Sequence, residues 1–188
     1  MGVASVAPVQ PSLWPALEDL FGRSGASNGC WCMYWILGAD YHRRPRVQNK
    51  QQLRSSVVTG PPPGLLALDE SGTAVGWCRL TPRHELPWLD SKRDLGPVDD
   101  LPVWSLPCFY VRSGWRGQGV MAALIDGAVD YARTAGAPAV ESYPIDTEVE
   151  GATRNTFPGT VSAFTKAGFT VVTRRAPARP IMRKYLND

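Results

Sequence analysis

Apolar residues recur at helical spacing in two clear stretches of the chain. Across 120–131, Val120, Ala123, Leu124, Gly127, Ala128 and Tyr131 fall on one face, and Gly136 supplies a stop. In "PSLWPALEDLFG" the residues Trp14, Leu17, Leu20 and Phe21 share a face, with Ser12 placed to cap it and Gly22 to end it. "NKQQLRSSVV" predicts a third helix, stopped by "TGPPPG", and "TVSAFTKAG" a short fourth. Strands are predicted for 3–9, "VWSLPCFYV", "AVESYPI", "FTVVTRR" and "PIMRKYL", and for a hairpin in which 65–68 and 74–80 flank the turn "DESG". "TPRHELPWLDSKRDLGPVDDLP" reads as a long proline-marked loop of the functional kind, and "CWCMYWILGADYHRRP" as an aromatic segment without a clean period. The order of elements defines a mixed α/β layer structure. Pro107 lacks a ladder donor, so a bulge or a splayed edge is expected in its strand.

The 188 residues predict one domain, 1–188, with a substantial core. Hydrophobic residues make up 44% and charged residues 20%, which is the balance of a globular chain. A net charge of +3 without a Lys/Arg run gives no footing for nucleic acid or a membrane surface. No apolar run approaches the roughly 18 residues of a membrane span, and "MGVASVAPVQ" lacks a basic leader, so a cytoplasmic location is expected. The four cysteines are Cys30, Cys32, Cys78 and Cys108. The Cys-x-Cys spacing of the first two has no answering pair for zinc, so reduced, metal-free thiols are expected. Oligomeric state is not readable.

Between the strand at Phe109, Tyr110 and Val111 and the helix from Val120 lie Gly114, Gly117 and Gly119, with Arg116 among them. A strand entering a helix through glycines leaves the first helical N–H groups unpaired at the positive end of the helix dipole, where phosphate oxygens bind. Gly117-Gln118-Gly119-Val120-Met121-Ala122 also fits the dinucleotide fingerprint G-x-G-x-x-[GA], with Glu141 about twenty residues on. Too little chain follows Glu141 for a βαβαβ half, however, and no G-K-[ST] completes a Walker loop.

"Val111-Arg-Ser-Gly-Trp-Arg116-Gly-Gln-Gly-Val" resembles the coenzyme A pyrophosphate loop of the GCN5-related N-acetyltransferase (GNAT) family, [QR]-x-x-G-x-[GA]. Arg116 and Gly119 fill its first and fourth positions. Met121 departs from the sixth, with Ala122 one residue late. "AFTKAGFTVV" resembles the family's closing helix and strand, with Gly168-Phe169 at the usual glycine–aromatic pair. The resemblance implies a mostly antiparallel, splayed central sheet with helices on both faces. It makes 1–102 the acceptor half and 103–188 the acetyl-CoA half. Acetyl-CoA would pair with backbone at Phe109, Tyr110 and Val111, and its pyrophosphate would rest on Arg116, Gly117, Gln118, Gly119, Val120 and Met121.

N-acetylation needs a free amine, donors for the tetrahedral oxyanion, and a proton for the leaving thiolate. The resemblance implies Glu141 as the base, from its strand position; Glu85, Asp99, Asp100 and His84 are rivals. Backbone N–H near Phe109 or Val111 is placed to polarise the thioester. Phe164 stands where many members carry a tyrosine acid, so Ser162, Thr165, Tyr143 or water must protonate the thiolate. Cys108 invites a covalent acetyl-cysteine route, against its character as a strand cysteine. The family's acceptor pocket corresponds to the segment carrying Trp31, Tyr34, Trp35 and Tyr41, with Trp88 in the later loop. These residues suit a small amine with an apolar or cationic body, its second charge anchored by Asp40, Asp99 or Asp100. The expectation is direct acetyl transfer, with a carboxylate base, to a small-molecule primary amine. A peptide or protein N-acetyltransferase and a non-catalytic acyl-CoA-binding module are the alternatives.

Overall fold

The strands of both halves of the chain join one seven-stranded sheet in the computed structural model, which describes residues 2–153 and 155–186. The first half contributes β1 (Ser5–Pro8), α1 (Trp14–Phe21), α2 (Tyr34–Leu37), α3 (Arg46–Thr59), β2 (Gly64–Leu68), β3 (Ala74–Pro82) and α4 (Pro87–Asp90). The second contributes β4 (Trp104–Val111), α5 (Val120–Thr134), β5 (Ala139–Ser142), α6 (Val161–Lys166), β6 (Thr170–Ala176) and β7 (Arg179–Tyr185). The sheet order is β1-β2-β3-β4-β5-β7-β6, and every neighbouring pair is antiparallel except β4 and β5.

Strand alternation divides the core between the two faces of the sheet. Leu65, Cys78, Leu106 and Phe109 pack with Val120, Leu124 and Ile125 of α5 and with Phe164 and Phe169. Leu66 and Trp77 face the other way, onto Trp14, Leu17 and Phe21 of α1, Trp31, and Leu53 and Val57 of α3. Of the helical face read from the sequence, Val120, Leu124 and Ala128 are buried in α5 and Ala123, Gly127 and Tyr131 are half-buried at its edge, while Ile125, Val129 and Ala132 complete the buried face. Ser12 does not cap α1; a 3-10 turn, Pro11–Leu13, leads into that helix without a side-chain cap. The long loop after β3 also carries more structure than its prolines suggest, since Arg83–Glu85 and α4 each make a short turn of helix.

Pro107 marks the splay. β4 pairs with β5 only at Trp104, Ser105 and Leu106, and the β3–β4 register shifts between Arg79 and Thr81. A residue without an N–H cannot continue the ladder, so the strands part there.

Candidate active site

Arg112 donates its amide to the Val75 carbonyl of β3 at 2.9 Å. Antiparallel alternation then turns the amides of Phe109 and Val111 toward the splay. On that side a cavity of about 840 Å³ opens between β4, α5 and α6. Of the residues expected to hold acetyl-CoA, Phe109 to Val111 and Arg116 to Met121, all but Gln118 line it. Gln118 braces the loop instead, its side-chain amide donating to the Gly114 carbonyl at 2.7 Å. Gly117 and Gly119 have φ of +74° and +78°, a region that side chains disfavour, and a Cβ on either would project into open space. Gly119 caps α5 with no side-chain oxygen over its first turn, which leaves amides of that turn free for an anion. The cradle fits a pyrophosphate. Lys166 of α6 adds a cation on the facing wall. It lies so far along the chain from the glycines that only the fold joins them.

A second cavity, of about 310 Å³, lies across the shared wall of Phe109, Tyr110, Asn155 and Phe157. Tyr34, Trp35 and Tyr41 line it. Trp31 does not. Its ring is buried in the core, with ring centroids 6.1 Å from Trp14 and 5.5 Å from Phe21. Asn49 of α3 pins the segment, its buried side-chain amide donating to the carbonyls of Gly29 at 2.8 Å and Tyr41 at 3.0 Å. Within the segment Trp31 and Cys32 both take left-handed backbone, φ +46° and +58°, which is costly for residues with a Cβ.

The only charged side chain lining this cavity, among the described residues, is Arg179 of β7. It lies over the Trp35 ring at 5.5 Å, and its Nε donates to the Tyr143 carbonyl at 3.3 Å. Its Nη2 is buried and has no hydrogen-bond partner. Burial pulls its pKa below the usual guanidinium value. The carboxylates proposed to anchor a second cation lie elsewhere: Asp40 is exposed and pairs with Arg43 at 3.0 Å, Asp99 pairs with Arg183 at 2.7 Å, and Asp100 is exposed.

Three cysteines, Cys30, Cys32 and Cys108, also line the cavity, and all four in the chain are free thiols. Trp77 donates its indole N–H to Cys32 Sγ at 3.4 Å. Arg79, buried opposite Cys108 in the β3–β4 ladder, has neither Nε nor Nη2 hydrogen-bonded. Contact with Cys108, the charge of Arg79 and the Trp77 donor hold the Cys32 thiol well below the usual value. The same contact and burial push Cys108 up, and burial raises Cys30 to about 11. Among the described residues no cluster of three His, Cys, Asp or Glu is arranged to hold a metal ion.

Glu141 is buried beneath the sheet's splay and lines neither cavity. Its Oε1 accepts from Arg183 Nε at 3.1 Å and Nη2 at 2.6 Å. Its Oε2 accepts from Arg83 Nη1 at 3.3 Å and from the Tyr143 hydroxyl at 3.2 Å. Tyr143 is itself sealed against Arg83 at 2.7 Å and Ser105 at 2.8 Å. His84 and Glu85 are exposed and line neither cavity. Ser162 lines the larger cavity, Thr165 is exposed outside both cavities, and Phe164 is buried against Phe169, centroids 5.0 Å apart.

The family model of the acetyltransferase (GNAT) family matches residues 29–154, and the chain belongs to that family. Its reaction is acetyl transfer from acetyl-CoA. The fold is shared with solved structures of low identity. One is a histone acetyltransferase HPA2 and related acetyltransferase from Corynebacterium glutamicum, at 19% identity and TM-score 0.59, covering 98% of this chain and 97% of that one. Another is the PaiA N-acetyltransferase of Thermoplasma acidophilum in complex with coenzyme A, at 14% and 0.55, covering 96% and 98%. A third is YncA, a putative acetyltransferase from Salmonella typhimurium with acetyl-CoA, at 12% and 0.57, covering 98% and 94%. No curated protein matches the sequence significantly. No helix among the described residues is long and apolar enough to cross a membrane.

Proposed function

We propose that this protein acetylates the primary amine of a small molecule that also carries an anionic group, such as a carboxylate, phosphonate or phosphinate. The observation that carries this reading is Arg179: a desolvated guanidinium with an unpaired N–H in a cavity whose lining holds no acidic side chain, among the described residues. Arg179 is half-buried with a buried, unpartnered Nη2, and an anionic ligand relieves the cost of that group with a charge-assisted hydrogen bond. The volume of about 310 Å³ suits a molecule of amino-acid size rather than a length of peptide. Tyr34 and Trp35 would clasp its body.

In this reading 103–188 supplies the acetyl-CoA cradle, and the acceptor wall is shared between 1–102 and residues of β4, the segment before α6 and Arg179. Arg116, Lys166 and the free amides at the start of α5 would hold the phosphates. The Phe109 and Val111 amides would face the pantetheine and thioester. No carboxylate or imidazole lines the acceptor cavity among the described residues, so the amine would shed its proton to water. Glu141 would serve as a brace, tying β5 to β7 and holding Arg83. Coenzyme A release, measured across amino acids, aminophosphonates, their esters and peptides, tests the assignment. The free acids are expected to turn over, and esterification to cost at least about tenfold in kcat/KM, roughly 1.4 kcal/mol. Arg179→Met should erase that preference. Equal rates on acids and esters, or turnover of peptides alone, would overturn it.

A further inference from the structure

We infer that the acceptor carries its amine and its acid at opposite ends of a flat aromatic ring, as para-(aminomethyl)benzoate does, an inference that rests on the anionic reading of the acceptor. Phe21, Tyr110 and Phe157 line the smaller cavity together with Tyr34, Trp35 and Tyr41. Neighbouring rings stand nearly edge to face. Tyr34 and Trp35 have centroids 4.8 Å apart at 77°, Tyr34 and Tyr41 6.0 Å at 83°, and Phe21 and Tyr110 5.7 Å at 76°. Walls of this kind favour one of two bodies, a cation over a ring face or another ring. Arg179 decides between them. Its guanidinium already lies over the Trp35 ring at 5.5 Å, and no acidic side chain lines the cavity among the described residues. With the acceptor's acid engaged by Arg179, a cationic body would meet like charge and no counter-charge. An uncharged ring meets no such repulsion, and its face and edge match rings set near right angles.

The separation of the two ends follows from the sheet. The amine would meet the acetyl group where the two cavities adjoin, along the wall of Phe109, Tyr110, Asn155 and Phe157. Arg179 is held away from that wall: its Nε donates to the Tyr143 carbonyl at 3.3 Å, and neither Tyr143 nor Trp35 lines the larger cavity. β5 lies between β4, which carries Phe109, and β7, which carries Arg179. Their backbones are therefore about two strand spacings apart, roughly 10 Å, before the splay adds to it. An α-amino acid carries both groups on one carbon and would reach only one of the two ends. A ring substituted at opposite positions sets them a fixed distance apart and leaves no flexible chain to order on binding. Tyr34 would then set specificity, because its ring packs on both Trp35 and Tyr41.

The experiment is coenzyme A release by the full-length enzyme with acetyl-CoA and a panel of defined amines. Phenylglycine is an isomer of para-(aminomethyl)benzoate with amine and acid on one carbon, and ε-aminocaproate keeps the ends apart without a ring. The ring compound is expected to exceed both by at least about tenfold in kcat/KM. Tyr34→Leu should raise its KM about tenfold and that of ε-aminocaproate less than about threefold, with coenzyme A affinity unmoved. A merely structural loss would weaken both acceptors alike and overturn the role of Tyr34. Phenylglycine turning over as fast as the ring compound would overturn the separation, and ε-aminocaproate doing so would overturn the ring. Benzylamine lacks the acid and should lag by at least about tenfold. If benzylamine instead matches the ring compound and outpaces hexylamine, the anionic assignment falls and the aromatic body alone stands.

Discussion

The amide of Phe109 donates to the carbonyl of Phe157 at 2.7 Å. The donor that faces the splay of the sheet is thus already satisfied by the segment between β5 and α6. A pantetheine chain pairing with this edge of β4 must take that place. Binding of coenzyme A is therefore expected to raise hydrogen exchange around Phe157 and Gly159 while Phe109 stays protected. Exchange that stays unchanged at Phe157 on saturation would mean the acyl chain runs elsewhere.

Gly119→Val should weaken coenzyme A binding by at least about tenfold, near 1.4 kcal/mol. It places a branched side chain at φ +78°, on the lip of the phosphate cradle. Part of the change will appear as lost stability, of the order of 1–2 kcal/mol for a left-handed residue. Gly114→Ala is the control: its φ is not left-handed and its Cβ meets nothing within 4 Å, so both titration and melting should match the parent.

Glu141→Gln separates a brace from a base. As a brace, Glu141 neutralises Arg83 and Arg183, and losing its charge should cost about 3 kcal/mol. For a chain of this length that is a fall in Tm of about 6–12 °C. A variant that melts normally but loses roughly 100-fold in kcat, with the loss shrinking at high pH, would restore the general-base role.

Phe164→Tyr adds a hydroxyl among Phe109, Phe169 and the Met121 side of the cradle, where Phe164 is fully buried. Without a partner the hydroxyl should cost about 1–3 kcal/mol, with no gain in turnover. A rise in kcat of more than about tenfold, on the order of 1.4 kcal/mol, would show that thiolate protonation limits the reaction.

Asn49→Leu removes the two hydrogen bonds that hold Gly29 and Tyr41 to α3. Stranding two carbonyls should cost about 1–3 kcal/mol each at most. The acceptor KM should rise while coenzyme A affinity, measured by titration, holds. Equal losses at both sites would show that the segment supports the whole fold rather than the acceptor wall.

Local signals in the sequence determined much of this protein. The stripe from Val120 to Tyr131 carries Val120, Leu124 and Ala128 of the buried face of α5, Pro107 marked the splay, and the glycines around Arg116 marked left-handed turns on the wall of the larger cavity. Each depends on neighbours within a few positions, on helical period, a missing N–H or a left-handed φ, so it is legible in one dimension. The acceptor side was not. Trp31 and Trp35 lie four residues apart in one aromatic run, yet one is core and the other lines the cavity, because left-handed turns at Trp31 and Cys32 rotate the chain between them. Glu141 reads as a strand carboxylate, and only β7 and the turn after β3 reveal the two arginines that saturate it. Arg79, Cys32 and Cys108 come from three separate segments, as do Arg179, Trp35 and Tyr143. Burial, pairing and charge compensation are properties of the neighbours that the sheet brings together, and for these residues those neighbours lie too far along the chain for any local pattern to name.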